Sequence, residues 1–313
     1  MTQRPTFEVG PHANKENRRS TDVIMVEDRP IELEPPPPIP PAQDLVWIAS
    51  YPRSGNTWIR LLLHAYALGP ARHLRELGRL SLELDWWLAH AKAHALPLEW
   101  VIHAGRQVQS RFGRAPGFPN DLFVKSHFVF DAGHPLAERS RVAIYLVRHP
   151  RDVLLSALNY TELISGRALE DDRAYSRQFI AAGGDPEWIR YGYGSWAEHA
   201  ASWASAPGFP VLVVRYEDLK ADAGGELGRV LEFLGAAVDA DRVQAAVDHC
   251  DFQRLRNLEV ASRASSDIAS MRHPDRFFFH KGLTGQSLSH LGEELEHEFM
   301  ERFGPVMSRF GYT

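Results

Sequence analysis

The segment Tyr51-Pro52-Arg53-Ser54-Gly55-Asn56-Thr57-Trp58 sets a cation, a glycine and several small polar residues in one short stretch. The apolar run Leu45-Val46-Trp47-Ile48-Ala49 leads into it, and Ile59-Arg60-Leu61-Leu62-Leu63-His64-Ala65-Tyr66 follows. That order predicts a buried strand, a tight loop and an amphipathic helix whose N-terminus faces the loop. Free backbone N–H groups and the positive end of a helix dipole gather at such a junction, which suits a phosphate-like anion. The pattern is not G-x-x-x-x-G-K-[ST], because the cation, Arg53, precedes the glycine.

Three further apolar runs end in reactive groups. Leu122-Phe123-Val124 is followed by Lys125-Ser126-His127. The run from Val142 to Val147 is followed by Arg148-His149-Pro150-Arg151-Asp152, with Ser156 a helical turn further on. Val211-Leu212-Val213-Val214 is followed by Arg215-Tyr216-Glu217-Asp218. Pro150 suits the first turn of a helix, where its missing N–H would be unpaired anyway. Cations at three strand exits beside two helix starts describe a site for a ligand carrying several negative charges.

The elements that must hold these groups follow from the same pattern. Continuous apolar runs, rather than alternation, predict strands covered on both faces, hence a parallel sheet with helices on each side. Helices are expected at about 57–68, 151–160, 194–205, 222–235 and 291–303. Ligands of such sheets sit beyond the carboxyl ends of the strands, where the polar groups lie.

Composition narrows the class. With 313 residues, 44% hydrophobic and 24% charged, the chain can bury one large α/β core. A net charge of −5 argues against non-specific nucleic-acid binding, so an anion site must be local. The single cysteine, Cys250, fits a reducing, cytoplasmic compartment, and neither a signal peptide nor a membrane span is expected. Residues 1–43 read as a disordered arm ending in the proline run Pro35-Pro36-Pro37-Pro38-Ile39-Pro40-Pro41. Residues 44–313 form the catalytic domain, with 69–120 assigned by exclusion as a wall of the acceptor site, offering Trp86, Trp87 and Trp100.

Taken together, the motifs resemble those of sulfotransferases that use 3′-phosphoadenosine 5′-phosphosulfate (PAPS). Tyr51 to Trp58 resembles the 5′-phosphosulfate loop Y-P-K-S-G-T-T-W, and Arg148 to Ser156 resembles the 3′-phosphate motif R-N-P-K-D-x-x-x-S at the same spacing. Lys125-Ser126-His127 resembles K-T-H. Tyr193-Gly194-Ser195-Trp196 with His199 and Trp203 resembles Y-G-S-W-x-x-H-x-x-x-W. Arg215-Tyr216-Glu217-Asp218-Leu219 and Phe279-His280-Lys281-Gly282 resemble the family's Y-E-D-[ML] and F-R-K-G segments.

The resemblance implies a P-loop-like three-layer fold with a central, mostly parallel sheet flanked by helices. It implies in-line transfer of a sulfuryl group to an acceptor hydroxyl or amine, with adenosine 3′,5′-bisphosphate leaving and no metal required. Arg53, with Ser54, Gly55, Asn56 and Thr57, would grip the phosphosulfate. Lys125 would neutralise the leaving side and His127 would act as general base. Trp58 and Phe252 would sandwich the adenine beside Tyr216, while Arg148, Ser156, His280, Lys281 and Gly282 would hold the 3′-phosphate.

The chain departs from the family at Arg53 and Asn56, which replace a lysine and a threonine, and at His280, which replaces an arginine. A short dimerisation motif of many animal members is missing, so oligomeric state stays open. His90 and His94, at i and i+4, lack a third metal ligand. Cys250 falls near the expected adenine site and is assigned no reactivity. The rival readings are a small-molecule kinase of similar fold and a non-catalytic nucleotide-sensing or scaffold protein.

Overall fold

Along Leu45–Ser50 successive side chains enter opposite halves of the core. Leu45, Trp47 and Ala49 join one buried apolar cluster, and Val46 and Ile48 join the other. This period of two with both faces covered is why the sequence shows an unbroken apolar run. The computed structural model describes residues 23–26, 29–32 and 43–312, apart from 94, 112–117, 119–120, 132, 134–135, 206–207, 265–270 and 290–291.

The strands in chain order are β1 (Val23–Val26), β2 (Arg29–Glu32), β3 (Leu45–Ser50), β4 (Ser81–Glu83), β5 (Leu122–Ser126), β6 (Ser140–Val147) and β7 (Val211–Arg215). The last five form one sheet, ordered β4-β5-β3-β6-β7, in which every pairing is parallel. The chain leaves β3 toward one edge and later returns to its other side. The strand order therefore switches at β3, and the carboxyl ends of β5, β3 and β6 lie side by side. Strand β4 carries no apolar run long enough to signal a strand and was not expected.

Two helical layers complete the sandwich. Helix α1 (Asn56–Leu68) buries Ile59, Leu62 and Leu63 on one face of the sheet with α9 (Ala223–Phe233). Between them in sequence lie α2 (Leu84–Ala93), α3 (Leu98–Arg111), α4 (Pro150–Ser165), α5 (Asp172–Ala182), α6 (Pro186–Trp188), α7 (Trp196–Ala204) and α8 (Tyr216–Ala221). Helices α10 (Ala240–His249), α11 (Phe252–Ala264) and α12 (Glu293–Met307) follow. The opposite face receives Trp196, Ala200 and Trp203 of α7 and the stripe Leu295, Phe299, Phe303 and Met307 of α12, spaced at helical intervals. No helix among the described residues is long and apolar enough to cross a membrane.

Two expectations change. Within the arm at 1–43, β1 and β2 pair antiparallel, in a stretch rich in Val, Ile and Met; the proline run lies outside the described residues. Trp87 and Trp100 pack on each other at 5.7 Å inside the core, so the apolar payload of 69–120 is spent on folding; the side chain of Trp86 lies outside the described residues.

Gly55 caps α1 with φ at 98°, and a β-carbon there would sit 2.7 Å from the Tyr216 ring. Gly69 at the other end of the helix has φ at 87° but open space around it. Gly55→Ala should therefore cost on the order of 2–4 kcal/mol, against about 1–2 for Gly69→Ala, where backbone strain acts alone. Urea unfolding of both variants checks this, and equal losses would remove the close packing of Tyr216 from the account.

Candidate active site

The sheet switch opens into a cleft of ≈ 1000 Å³. Its floor is the loop after β3. Asn56 ties this loop to the strand, donating from Nδ2 to Ile48 O at 2.9 Å and to Ser50 Oγ at 3.3 Å. The N-terminus of α1 opens on the cleft through Gly55, Asn56 and Thr57. Trp58 Nε1 and Arg148 Nε, on side chains that line the cleft, have no hydrogen-bond partner among the described residues; Ser54 Oγ has none either, but Ser54 is fully buried and is not among the residues that line the cleft. Orphaned donors at a helix start are what an anionic ligand with a polar ring would satisfy.

Arg53 and Arg148 interlock. Arg53 is held in the left-handed region, φ 67°, and its carbonyl accepts from Arg148 Nη1 at 3.0 Å. The Arg53 guanidinium donates to Ser156 Oγ at 3.0 Å and to Phe278 O at 2.9 Å, lying over the rings of Tyr160 and Phe278. The loop cation thus reaches the serine of the expected 3′-phosphate motif. Burial, with Arg148 also nearby, lowers the Arg53 pKa to about 10, which leaves it charged at neutral pH. Arg148 in turn donates to Leu283 O at 2.9 Å and lies over the Tyr216 ring at 4.2 Å.

At the aromatic end of the cleft, Trp58 and Tyr216 meet edge-on at 5.8 Å, and Trp58 and Phe252 both line the cleft. Lys220 Nζ stands 6.0 Å from the Trp58 ring centroid and 5.9 Å from that of Phe252. Gly282 is needed where it lies, because a β-carbon would come within 2.8 Å of Phe252. Cys250 also lines this end, and burial pushes its thiol up to about 12, so it carries no thiolate.

Residues 276–286 form a strap over the cleft, held from behind by α11 and α4. Fully buried Glu259 accepts from the backbone N–H groups of Phe278 and Phe279 at 2.7 and 3.0 Å and from Arg263 at 2.8 Å. Asp152, in the first turn of α4, accepts from the N–H groups of Gly285 and Gln286. Arg256 holds the carbonyl of His280 at 3.1 Å. His280 lines the cleft and Lys281 is exposed beside it. Burial, followed by the charges of Lys281, Arg276, Arg256 and Arg53, lowers the His280 pKa to about 4.

The chemical end lies at β5. His127 Nδ1 is 2.7 Å from Ser50 O. A carbonyl can only accept, so Nδ1 carries the proton and Nε2 keeps its lone pair, on a ring that lines the cleft. Burial, then the charge of Lys125, holds the ring's pKa well below 6.5, so it stands neutral and ready to accept. Lys125 Nζ lies 3.2 Å from Glu83 and 3.1 Å from Asp85. Burial opposes the lysine's charge, but these carboxylates more than offset it and its pKa is raised. Glu83 also pairs with buried Arg60 at 2.6 Å, and Tyr193 Oη donates to Asp85 at 3.1 Å.

Ser195 and Trp196 brace rather than react: Ser195 caps α7, and Trp196 Nε1 donates to Arg148 O at 3.1 Å. Of residues 69–120 only Glu83 lines the cleft among the described residues; near His127 and Arg53 the lining is aromatic instead, with Tyr160, Trp188, Tyr191, Tyr193 and Phe278. Glu83, Asp85, Tyr160, Trp188, Tyr191 and Phe278 were not read from the sequence as site residues, Arg60 was seen only as part of the helix run, and Tyr193 was read only as part of the Y-G-S-W motif, without a place in the cleft. His94 and the side chain of His90 lie outside the described residues.

The chain is similar to known proteins in sequence and in fold. Residues 43–311 match the sulfotransferase domain family. The chain is 28% identical to sulfotransferase 2A6 of Mus musculus over 70% of its length and 69% of that protein's. It is 25% identical to sulfotransferase 1A1 of Rattus norvegicus, over 77% of each chain. Among solved structures it resembles retinol dehydratase in complex with androsterone and inactive cofactor PAP, with TM-score 0.60 and 20% identity over 86% of this chain and 82% of that one. It also resembles mouse sulfotransferase SULT7A1 complexed with PAP, with TM-score 0.58 and 19% identity over 85% of each chain. Its P-loop-like fold, its cleft and a family match covering nearly all the described residues lead to one conclusion: the chain belongs to the sulfotransferase domain family.

Proposed function

We propose that this enzyme moves a sulfuryl group from PAPS to a hydroxyl or amine of a small-molecule acceptor, with His127 as general base. The observation that carries the reading is the His127 tautomer. Its proton is committed to Ser50 O, and its free Nε2 sits beside Lys125 in a cleft that also holds orphaned anion-binding groups. The bisphosphate of the structural relatives and the androsterone of one of them support the same division into a nucleotide end and an acceptor end.

Bound PAPS would supply the activated sulfuryl group. The loop N–H groups at Gly55 to Thr57 would hold its 5′ end, Trp58 and Phe252 its base, and Arg148, Ser156 and Lys281 its 3′-phosphate. His127 Nε2 takes the acceptor proton as the new bond from acceptor to sulfur forms. The bond from sulfur to the bridging oxygen breaks, its electron pair stays on the departing phosphate, and Lys125 offsets that charge.

Transfer of labelled sulfate from PAPS to pooled phenols, alcohols and amines, with and without chelator, tests the activity and separates it from a kinase or a binding protein. His127→Ala should lower turnover on a weakly acidic hydroxyl roughly 10²–10⁴-fold, with adenosine 3′,5′-bisphosphate affinity held within about threefold. Near wild-type turnover in this variant would remove His127 from the mechanism.

His280 gives a pH signature. Its pKa in the free protein is about 4, and a nearby dianionic phosphate would raise it. Binding then takes up a proton between the two values. Affinity for the bisphosphate should fall as pH rises through that window and level off above the raised pKa. His280→Arg, charged throughout, should lose this component and bind more tightly at alkaline pH. Calorimetric titrations from about pH 5 to 9 would show parallel profiles for both proteins if His280 does not face the phosphate.

A further inference from the structure

Among the described cations that line the cleft, Lys125 alone stands between two carboxylates. The two do not have equal duties. Glu83 also neutralises Arg60, which is buried and has no other carboxylate partner among the described residues. Asp85 Oδ2 accepts from Lys125 and from the Tyr193 hydroxyl, while Asp85 Oδ1 is buried without a hydrogen-bond partner among the described residues. Among the described residues, the charge of Asp85 therefore pairs with no cation except Lys125.

That placement works against an anion. Lys125 has three N–H donors, and Glu83 and Asp85 engage it from two sides, so a phosphosulfate meeting Lys125 shares it with Asp85 and draws it away from that carboxylate. Asp85, largely shielded from water, is then left with a weakened ion pair and a tyrosine hydroxyl. The groups facing Lys125 are Glu83, Asp85 and Arg60, with neutral His127 alongside; Arg60 is paired with Glu83 and makes no described ion pair with Asp85. Tyr193 lies edge-on to His127 at 5.7 Å, which puts the Asp85 link on the acceptor side of the same centre.

We propose that Asp85 is a positioning residue that competes with the anionic nucleotide for Lys125, loosening the enzyme's hold on it and drawing the lysine back when adenosine 3′,5′-bisphosphate leaves. The inference rests on the reading of the cleft as a PAPS site. Its distinguishing mark is the sign of the effect: removing a residue of the site makes the nucleotide bind more tightly.

The test is calorimetric titration of adenosine 3′,5′-bisphosphate into the full chain as wild type, Asp85→Asn and Asp85→Ala, and into the same three in a Lys125→Met background. With Lys125 present, both substitutions should tighten binding by about three- to tenfold and slow dissociation in proportion. In the Lys125→Met background they should change affinity by less than about twofold. Unchanged or weaker binding in both variants overturns the inference, since that is what a purely structural carboxylate would give. Equal tightening without Lys125 also overturns it, because Asp85 would then repel the ligand directly. A wild type that binds no bisphosphate removes the PAPS reading and this inference together, whereas a wild type that binds without tightening in the variants removes only the inference.

Discussion

Positive charge crowded at one end of a parallel sheet is the constraint on which this structure turns. Arg53, Arg60, Lys125 and Arg148 all border one cleft, and each is at least partly withdrawn from water. Left unpaired, such charges would raise one another's energy and pay desolvation as well. The fold answers with stand-in partners. Arg148 donates to two backbone carbonyls, leaving its Nε unpartnered among the described residues; Arg53 meets a carbonyl, a serine and two ring faces, and Lys125 and Arg60 pair with carboxylates. Carbonyls and rings balance a cation without cancelling its charge, so the end of the cleft at Arg53 and Arg148 stays attractive to anions. Around Lys125 the balance is struck with full negative charges.

The switch in strand order at β3 makes this crowding geometrically possible. Because β5 and β6 flank β3 in the same direction, His127, the anion-binding loop and Arg148 emerge at one height. Ser50, the last residue of β3, serves two of them, since its carbonyl fixes the His127 tautomer and its hydroxyl accepts from Asn56. His127 and the loop after β3 are therefore referenced to the same strand end, and a displacement of one moves the other.

The fold was largely legible because β3, β5 and β6 are buried on both faces and advertise themselves by composition, as does the apolar run of the partly buried edge strand β7. The three residues of β4 could not, since Ser81-Leu82-Glu83 has neither length nor pattern. Missing β4 meant missing Glu83 and Asp85, which depend on that edge pairing to reach Lys125. The residues read from motifs did gather at one cleft, but a motif does not state what each side chain touches. Arg53 lines the cleft as expected of the loop cation, and its bond to Ser156 was not legible in the motif; Trp87 and Trp100 were offered to an acceptor and fill the core. Tyr160, Tyr193 and Phe278 come from separate elements and meet only through tertiary packing.

The strap at 276–286 is gripped almost wholly by its main chain. Glu259 and Asp152 take its amides, while Arg53, Arg148, Arg256 and Asn159 take its carbonyls. Every residue type offers those same groups, proline's missing amide apart. The side chains of His280, Lys281 and Leu283 are consequently spared much of the task of keeping the strap in place, unlike Phe277 and Phe278, whose rings pack under arginines, and Gly282, which has no room for a side chain. A histidine at 280 in place of an arginine is an exchange of the tolerated kind. Single substitutions at those three positions can change the lining of the cleft while the main chain keeps its anchors.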